Sequence, residues 1–134
     1  MRQVLRLGWL GLLGVALSAC EPSLTSHLDG KWQLAQVERD GVFATVDTVW
    51  YNFQNTLFQY QVYCPSVDTL LFLNGFASLE GDRLSLELEP TDRVSAFLPL
   101  TDWGQSWRSF VLVRHTSSSL VLKDGGISYT FRRY

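Results

Sequence analysis

Two cysteines, Cys20 and Cys64, and two histidines, His27 and His115, are the side chains best suited to nucleophilic or metal chemistry in this sequence. A thiol becomes a nucleophile when a nearby base or cation holds it as the thiolate. Cys64 ends the run LFQYQVYC, residues 57–64, where Phe58, Tyr60, Val62 and Cys64 share one face and Gln59 and Gln61 the other. That alternation turns its sulfur toward a core, where a lone cysteine behaves as a small hydrophobe. Pairing with His27 or His115 for catalysis is the sharper alternative and the less economical one. A metal site needs clustered His, Cys, Asp or Glu. No H-x-H, C-x-x-C or E-x-x-H occurs, and Glu87, Glu89 and Asp92 read as a solvated strand edge. Gly-x-Ser-x-Gly, phosphate-loop and dinucleotide fingerprints are absent as well. The expectation is no enzyme and no cofactor.

Cys20 stands in a different context. Arg2 and Arg6 precede an uncharged, mostly apolar run of eleven residues, Leu7 to Leu17, and Ser18-Ala19-Cys20 follows. A membrane span needs about 20 apolar residues; the shorter run has the length and flanks of a secretory signal peptide. Its end, LSAC, resembles the lipobox of bacterial lipoproteins. The resemblance implies cleavage before Cys20 and acylation of its thiol by chains such as palmitate. A plain secretory peptide with a chance cysteine at the cut is the alternative. Acyl chains partition into a bilayer at about 0.8 kcal/mol per buried CH₂, and more than one makes the anchor durable. The implied place is the bacterial cell envelope. Glu21, where Asp would favour inner-membrane retention, leans toward the outer membrane. Residues 1–19 then form the signal peptide, 20–29 the lipidated cysteine and its tether, and 30–134 the folded domain.

Removing Arg2 and Arg6 leaves nine basic against thirteen acidic residues, a net charge near −4. No basic patch or aromatic-interleaved Lys/Arg run occurs, which argues against nucleic acid as a partner. Four of the five Trp and all five Tyr follow the cut, and no Phe precedes it. A domain of this length and aromatic content can bury a core. With Cys20 acylated, Cys64 has no partner for a disulfide, so packing and the hydrogen-bond ladder must hold the fold.

After residue 29 the dominant periodicity is two. It predicts eight strands, at residues 30–38, 49–54, 57–64, 69–80, 83–89, 107–115, 119–123 and 127–133. Asn74-Gly75 could be a hairpin turn; a bulge bending one long strand matches the neighbours' lengths better. Leu84, Leu86 and Leu88 form a buried face. Residues 90–106, PTDRVSAFLPLTDWGQS, are the longest connection, where function often sits. Eight sequential antiparallel strands without a helix suggest an up-and-down barrel, whose interior is filled by side chains or holds one small ligand. A two-sheet sandwich is the alternative.

Gly30-x-Trp32 at the head of the first strand and YTFRRY at the end of the last give the chain its family character. Together with Asn74-Gly75 through Gly81, they resemble the lipocalin family, and most closely the small lipocalin-like lipoproteins of the Bacteroidales type. The pattern spans the whole mature chain, without the disulfides, the later Thr-Asp-Tyr-type motif or the C-terminal helix of ordinary lipocalins. The resemblance implies that Gly30 turns the chain into the barrel and that Trp32 plugs its closed end beneath a basic residue of the last strand. Arg133 continues the face of Ile127, Tyr129 and Phe131 and is the expected partner; Arg132 points the other way and is the second choice. Function is then expected at the open end, near loops carrying Asn55, Trp103 and Trp107, with Trp50 and Tyr60 as further candidate ligand contacts. Trp50 and Tyr51 lie on opposite faces of one strand, so one of them points inward. Trp103 and Trp107 could grip a ligand or face a protein partner, or cap the core. The implied function is a membrane-anchored, non-enzymatic binder of a small apolar ligand; a ligand-free module that binds another envelope protein is the second possibility.

Overall fold

The structure, a computed structural model, describes residues 28–134. Cys20, the tether to residue 27 and His27 lie outside the described residues.

Asp40-Gly41 is the local signal with the largest consequence for the fold. Both residues have positive φ, 51° and 77°, as a two-residue hairpin matched to strand twist requires. The turn reverses β1 (Gly30–Arg39) into β2 (Val42–Thr45), with Arg39 paired to Val42. β3 (Val49–Gln54) continues along the same edge of β1: residues 30–33 pair with β3 and residues 36–39 with β2. One stave of the barrel is therefore made of two collinear pieces. At the joint Ala35 bulges out of the β1–β9 register, and its carbonyl accepts the Val46 N–H at 3.0 Å. The extra residue resets the alternation, so that Trp32 and Leu34 before it and Val37 after it all pack on the core.

β4 (Leu57–Cys64), β5 (Thr69–Glu80), β6 (Arg83–Leu88), β7 (Trp107–His115), β8 (Ser119–Asp124) and β9 (Ile127–Arg133) follow, each antiparallel to its predecessor, and β9 closes on β1. The fold is the expected all-β up-and-down barrel of eight staves, with β2 as an added strand. Closure leaves no long sheet edge exposed. The expected count of eight strands passed over β2 because all four of its side chains are exposed, which leaves no alternation to read. The Asp-Gly turn was the available signal.

Asn74-Gly75 is a second correction. β5 is one long strand, as expected, but its register with β4 and β6 runs through Gly75 without a shift. There is no bulge. Glycine is required because a Cβ there would lie 2.0 Å from the carbonyl oxygen of Glu87 on β6; the two backbones approach too closely for any side chain.

Strand direction assigns the loops to two ends. Turns at 55–56, 81–82 and 116–118 lie at the end where residues 28–30 enter, and 65–68, 89–106 and 125–126 at the other. Asn55 therefore sits at the entry end, against expectation: its N–H donates to the Asp29 carboxylate at 2.8 Å. In an up-and-down barrel the turn after the second stave must return to the end at which the first began.

Candidate functional site

The entry end is sealed by its own residues. Trp32 is 0 % exposed and its indole N–H donates to the Leu28 carbonyl at 2.8 Å. The Arg133 guanidinium lies 4.2 Å from the Trp32 ring centroid and donates to the carbonyls of Asp29 at 2.7 Å and Ser117 at 3.2 Å. Gly30, at φ +133°, leaves room for this: a Cβ would stand 2.0 Å from Arg133 Nη1. Arg132 faces away and donates to the Gln33 side-chain oxygen at 2.8 Å. His115 also packs here, edge-on to Trp32 at 5.8 Å. Cys64 ends β4 at the opposite mouth, so the two cannot form a catalytic pair.

The open end is built by the 89–106 connection. Within it Val94–Phe97 form a one-turn helix and Leu98–Leu100 a 3-10 turn. Thr101 then stops the turn: its hydroxyl donates to the Leu98 carbonyl at 2.8 Å and accepts the Trp103 N–H at 3.0 Å. Such a side-chain-closed turn fixes the next two residues, which take opposite tasks. Trp103 enters the barrel and is 4 % exposed. Its ring stacks on Phe58 at 6.1 Å and 3°, meets Tyr60 edge-on at 5.2 Å, and donates its N–H to the Tyr51 hydroxyl at 3.0 Å. Phe97, also buried, meets Tyr60 at 5.4 Å. Between this connection and the rim of β5 lies a pocket of about 160 Å³ lined by Leu71, Phe72, Leu73, Arg93, Ala96, Phe97 and Leu100.

Asp102 instead binds the rim. Its Oδ1 accepts from Arg108 Nη1 at 3.0 Å, and its Oδ2 accepts from the Tyr129 hydroxyl and from Arg39 Nη2, the latter at 3.3 Å. Arg108 further donates from Nη2 to the Tyr129 hydroxyl at 2.6 Å and from Nε to Asp124 Oδ2 at 3.0 Å. The Arg108 side chain is only 11 % exposed, and its guanidinium lies 4.8 Å and 5.0 Å from the Phe110 and Tyr129 rings. Burial works against its charge, but Asp102, Asp124 and the Tyr129 hydroxyl outweigh burial and hold its pKa above the ordinary value. Burial first, and then the Asp102 carboxylate, push the Tyr129 hydroxyl up to about 12. Burial likewise raises Tyr51 and Tyr60. At neutral pH these hydroxyls keep their protons, and at the mouth two guanidiniums, Arg108 and Arg39, and the Tyr129 phenol hold the Asp102 carboxylate.

The four residues expected to contact ligand do not come together. Tyr60 and Trp103 meet in the interior. Trp50 faces outside, between Lys31 at 5.4 Å and the Tyr134 ring at 5.8 Å; Tyr51 is the inward member of that pair. Directly opposed residues share a face, and Tyr51 pairs with Trp32 and Tyr60. Trp107 is 51 % exposed on the outer face, opposite Glu87. The reading that Trp103 and Trp107 both cap the core thus holds for Trp103 alone. Arg108, Asp102 and Arg39 escaped the sequence reading. Arg108 left a trace: it alternates with Phe110 and Leu112, a cation on the inward face of a strand. Glu87, Glu89 and Asp92 are exposed, and among the described residues no three His, Cys, Asp or Glu are placed to hold a metal ion.

No curated protein matches the chain. Among solved structures, a lipocalin-like protein from Bacteroides uniformis superposes with TM-score 0.70 at 30 % identity, covering 81 % of this chain and 99 % of that one. A protein from Bacteroides eggerthii superposes with TM-score 0.69 at 26 % identity, covering 79 % and 98 %. Residues 15–134 match the family model described as a lipocalin-like domain. With a closed barrel, a tryptophan-plugged end and a loop-covered mouth, the chain belongs to the lipocalin-like domain family.

Proposed function

We propose that the protein holds a small, largely apolar ligand in the barrel without catalysing a reaction, and that residues 89–106 are the lid over it. One observation carries this: the ring at the heart of the interior, Trp103, comes from a loop and not from a wall strand. A wall residue is fixed by its ladder. A loop residue can leave, and its departure would expose Tyr51, Phe58 and Tyr60 as the sides of an apolar pocket with hydroxyls for orientation. Trp103 itself fills that space in the structure.

The lipobox-like end, LSAC, supports attachment of this barrel to the bacterial envelope, in the outer membrane, through acyl chains on Cys20. Cys20→Ala is expected to move the protein from the membrane to the soluble fraction of its host; a variant that stays with the membrane would remove the anchor from the proposal. Native mass spectrometry of that variant is expected to show a small bound mass, released on denaturation.

Bare protein in repeated preparations would favour the second reading, docking of an envelope protein on the outer face. Leu57, Phe76, Glu87 and Trp107 pair in one row across β4 to β7, and the three apolar members are exposed. That is a larger apolar feature than scattered surface residues make.

A further inference from the structure

The outer face of β1, β3, β4 and β5 carries a strip of uncharged amides that the barrel does not use. Asn52, Gln59 and Asn74 stand directly opposite one another across β3, β4 and β5, with Lys31 of β1 opposite Asn52. The next row on this face sets Trp50 opposite Gln61. The amides bond to one another, and their bonding is incomplete. Asn52 Nδ2 and Gln61 Nε2 both donate to Gln59 Oε1, at 3.0 and 2.7 Å, and Gln59 Nε2 donates to Asn74 Oδ1 at 3.0 Å. With two nitrogens turned to one oxygen, Asn52 Oδ1 and Gln61 Oε1 are left without a partner, as is the Trp50 indole N–H. Among the described residues, these three are the buried side-chain polar atoms that make no hydrogen bond. Buried donors and acceptors are nearly always paired, so three unpaired atoms on one strip point to a partner from outside the chain. We propose that this face is a binding site, independent of what the barrel holds, and that its ligand is a saccharide carrying a carboxylate.

The groove over the strip has a volume of about 610 Å³, within the usual range of about 300–1,000 Å³ for small-ligand clefts. A hydroxyl donates and accepts at once, as an amide does through its two ends. A sugar ring sets several hydroxyls close together, which suits two acceptors and one donor within two adjoining cross-strand pairs. An extended peptide offers one N–H and one carbonyl per residue, at the spacing of its backbone, and matches them less well. Phe76, half exposed, stands two residues from Asn74 on the same face of β5 and can pack against the C–H face of a ring.

Lys31 supplies the charge. Among the described residues it is the ionisable side chain of the groove, and it makes no ion pair. Its ammonium lies instead over the Trp50 and Tyr134 rings, 5.4 and 4.8 Å from their centroids, contacts of modest strength at a partly exposed site. A carboxylate is the complementary group. In the complex Lys31 swings from the Trp50 ring to the carboxylate, and rotation of the Asn52 and Gln61 amides turns their free oxygens to the sugar hydroxyls.

The test is a heteronuclear NMR titration of the full chain, carrying Cys20→Ala so that no acyl group is attached. The probes are two matched pairs: trigalacturonate against galactotriose, and sialyllactose against lactose. At least one acid is expected to bind, and at least tenfold more tightly than its neutral counterpart. The side-chain amide signals of Asn52, Gln59, Gln61 and Asn74 and the Trp50 indole signal should shift on binding. Lys31→Met should bring the acid's affinity down to that of the neutral sugar, and Gln59→Leu should weaken both. Both side chains lie on the outer face, so these variants leave the barrel core intact. Equal affinities within each pair, or no binding by either acid, would overturn the proposal, as would binding that leaves the signals of the outer strip unmoved. Tetraglutamate carries carboxylates without hydroxyls; affinity equal to that of the better sugar would overturn the saccharide and assign the groove to an acidic peptide.

Discussion

Trp103→Ala is expected to lower the stability of the barrel and to make it a receptor for the ring it has lost. Truncating a buried Trp removes its transfer energy and leaves a cavity, together about 3–5 kcal/mol. For a domain of this size that is on the order of a 10–30 °C fall in melting temperature. The stack on Phe58, the edge contact with Tyr60 and the donation to Tyr51 all go at once. Those walls come from β3 and β4, whose ladders do not depend on the loop, so they should stay in place. Free indole at millimolar concentration should therefore raise the melting temperature of Trp103→Ala and not that of the wild type. The mass-action gain grows as the logarithm of indole over its Kd. Two results would count against this account. Wild-type stability would mean that Trp103 does not occupy the barrel in solution. Loss of stability without rescue by indole would mean that the loop or the walls collapse into the vacated space.

How much of this could be read beforehand follows from where each piece of information resides. The wall strands were legible because burial on one face writes itself as alternation: Phe58, Tyr60 and Val62, or Leu84, Leu86 and Leu88, are buried as their spacing requires. The pairing of Trp32 with Arg133 across β1 and β9 follows the same logic, since antiparallel closure sets the ends of first and last strands side by side. β2 was hidden because a strand with four exposed side chains has no buried face to leave a pattern. The choice between Trp50 and Tyr51 could not be made from a local window. It is settled by their cross-strand partners, Gln33 and Gln61 for Trp50, Trp32 and Tyr60 for Tyr51. The lid is the hardest case. Residues 90–106 carry no period, and the direction of Trp103 is set by the Thr101 turn and by the grip of Arg108 and Tyr129 on Asp102. A bond between a loop carboxylate and the inward cation of a later strand is a tertiary fact. Only the misplaced charge, Arg108 among apolar neighbours, hinted at it.

Trp32→Ala is the counterpart at the sealed end, and its expected consequences differ because Trp32 is held by a wall strand. The cavity again costs about 3–5 kcal/mol. The lost guanidinium–indole contact adds roughly 0.5–2 kcal/mol, since Arg133 then spans an empty floor. Against a typical total of about 5–15 kcal/mol, this leaves a marginal fold or none, read as a collapse of the thermal or urea midpoint. Trp32→Phe keeps most of the apolar volume, loses the N–H donated to Leu28, and should fold with a smaller loss. A double-mutant cycle of Trp32→Leu, which removes the aromatic face, with Arg133→Met should show coupling of the same order as the contact itself. A midpoint for Trp32→Ala equal to the wild type would show that Trp32 is no plug. Free indole makes the contrast between the two tryptophans measurable. Trp32→Phe should gain no stability from it, because Trp32 lies at the end opposite the 89–106 connection, whereas Trp103→Ala vacates the space that the ring fills. A barrel in which indole stabilised both variants equally would have no distinction between floor and lid.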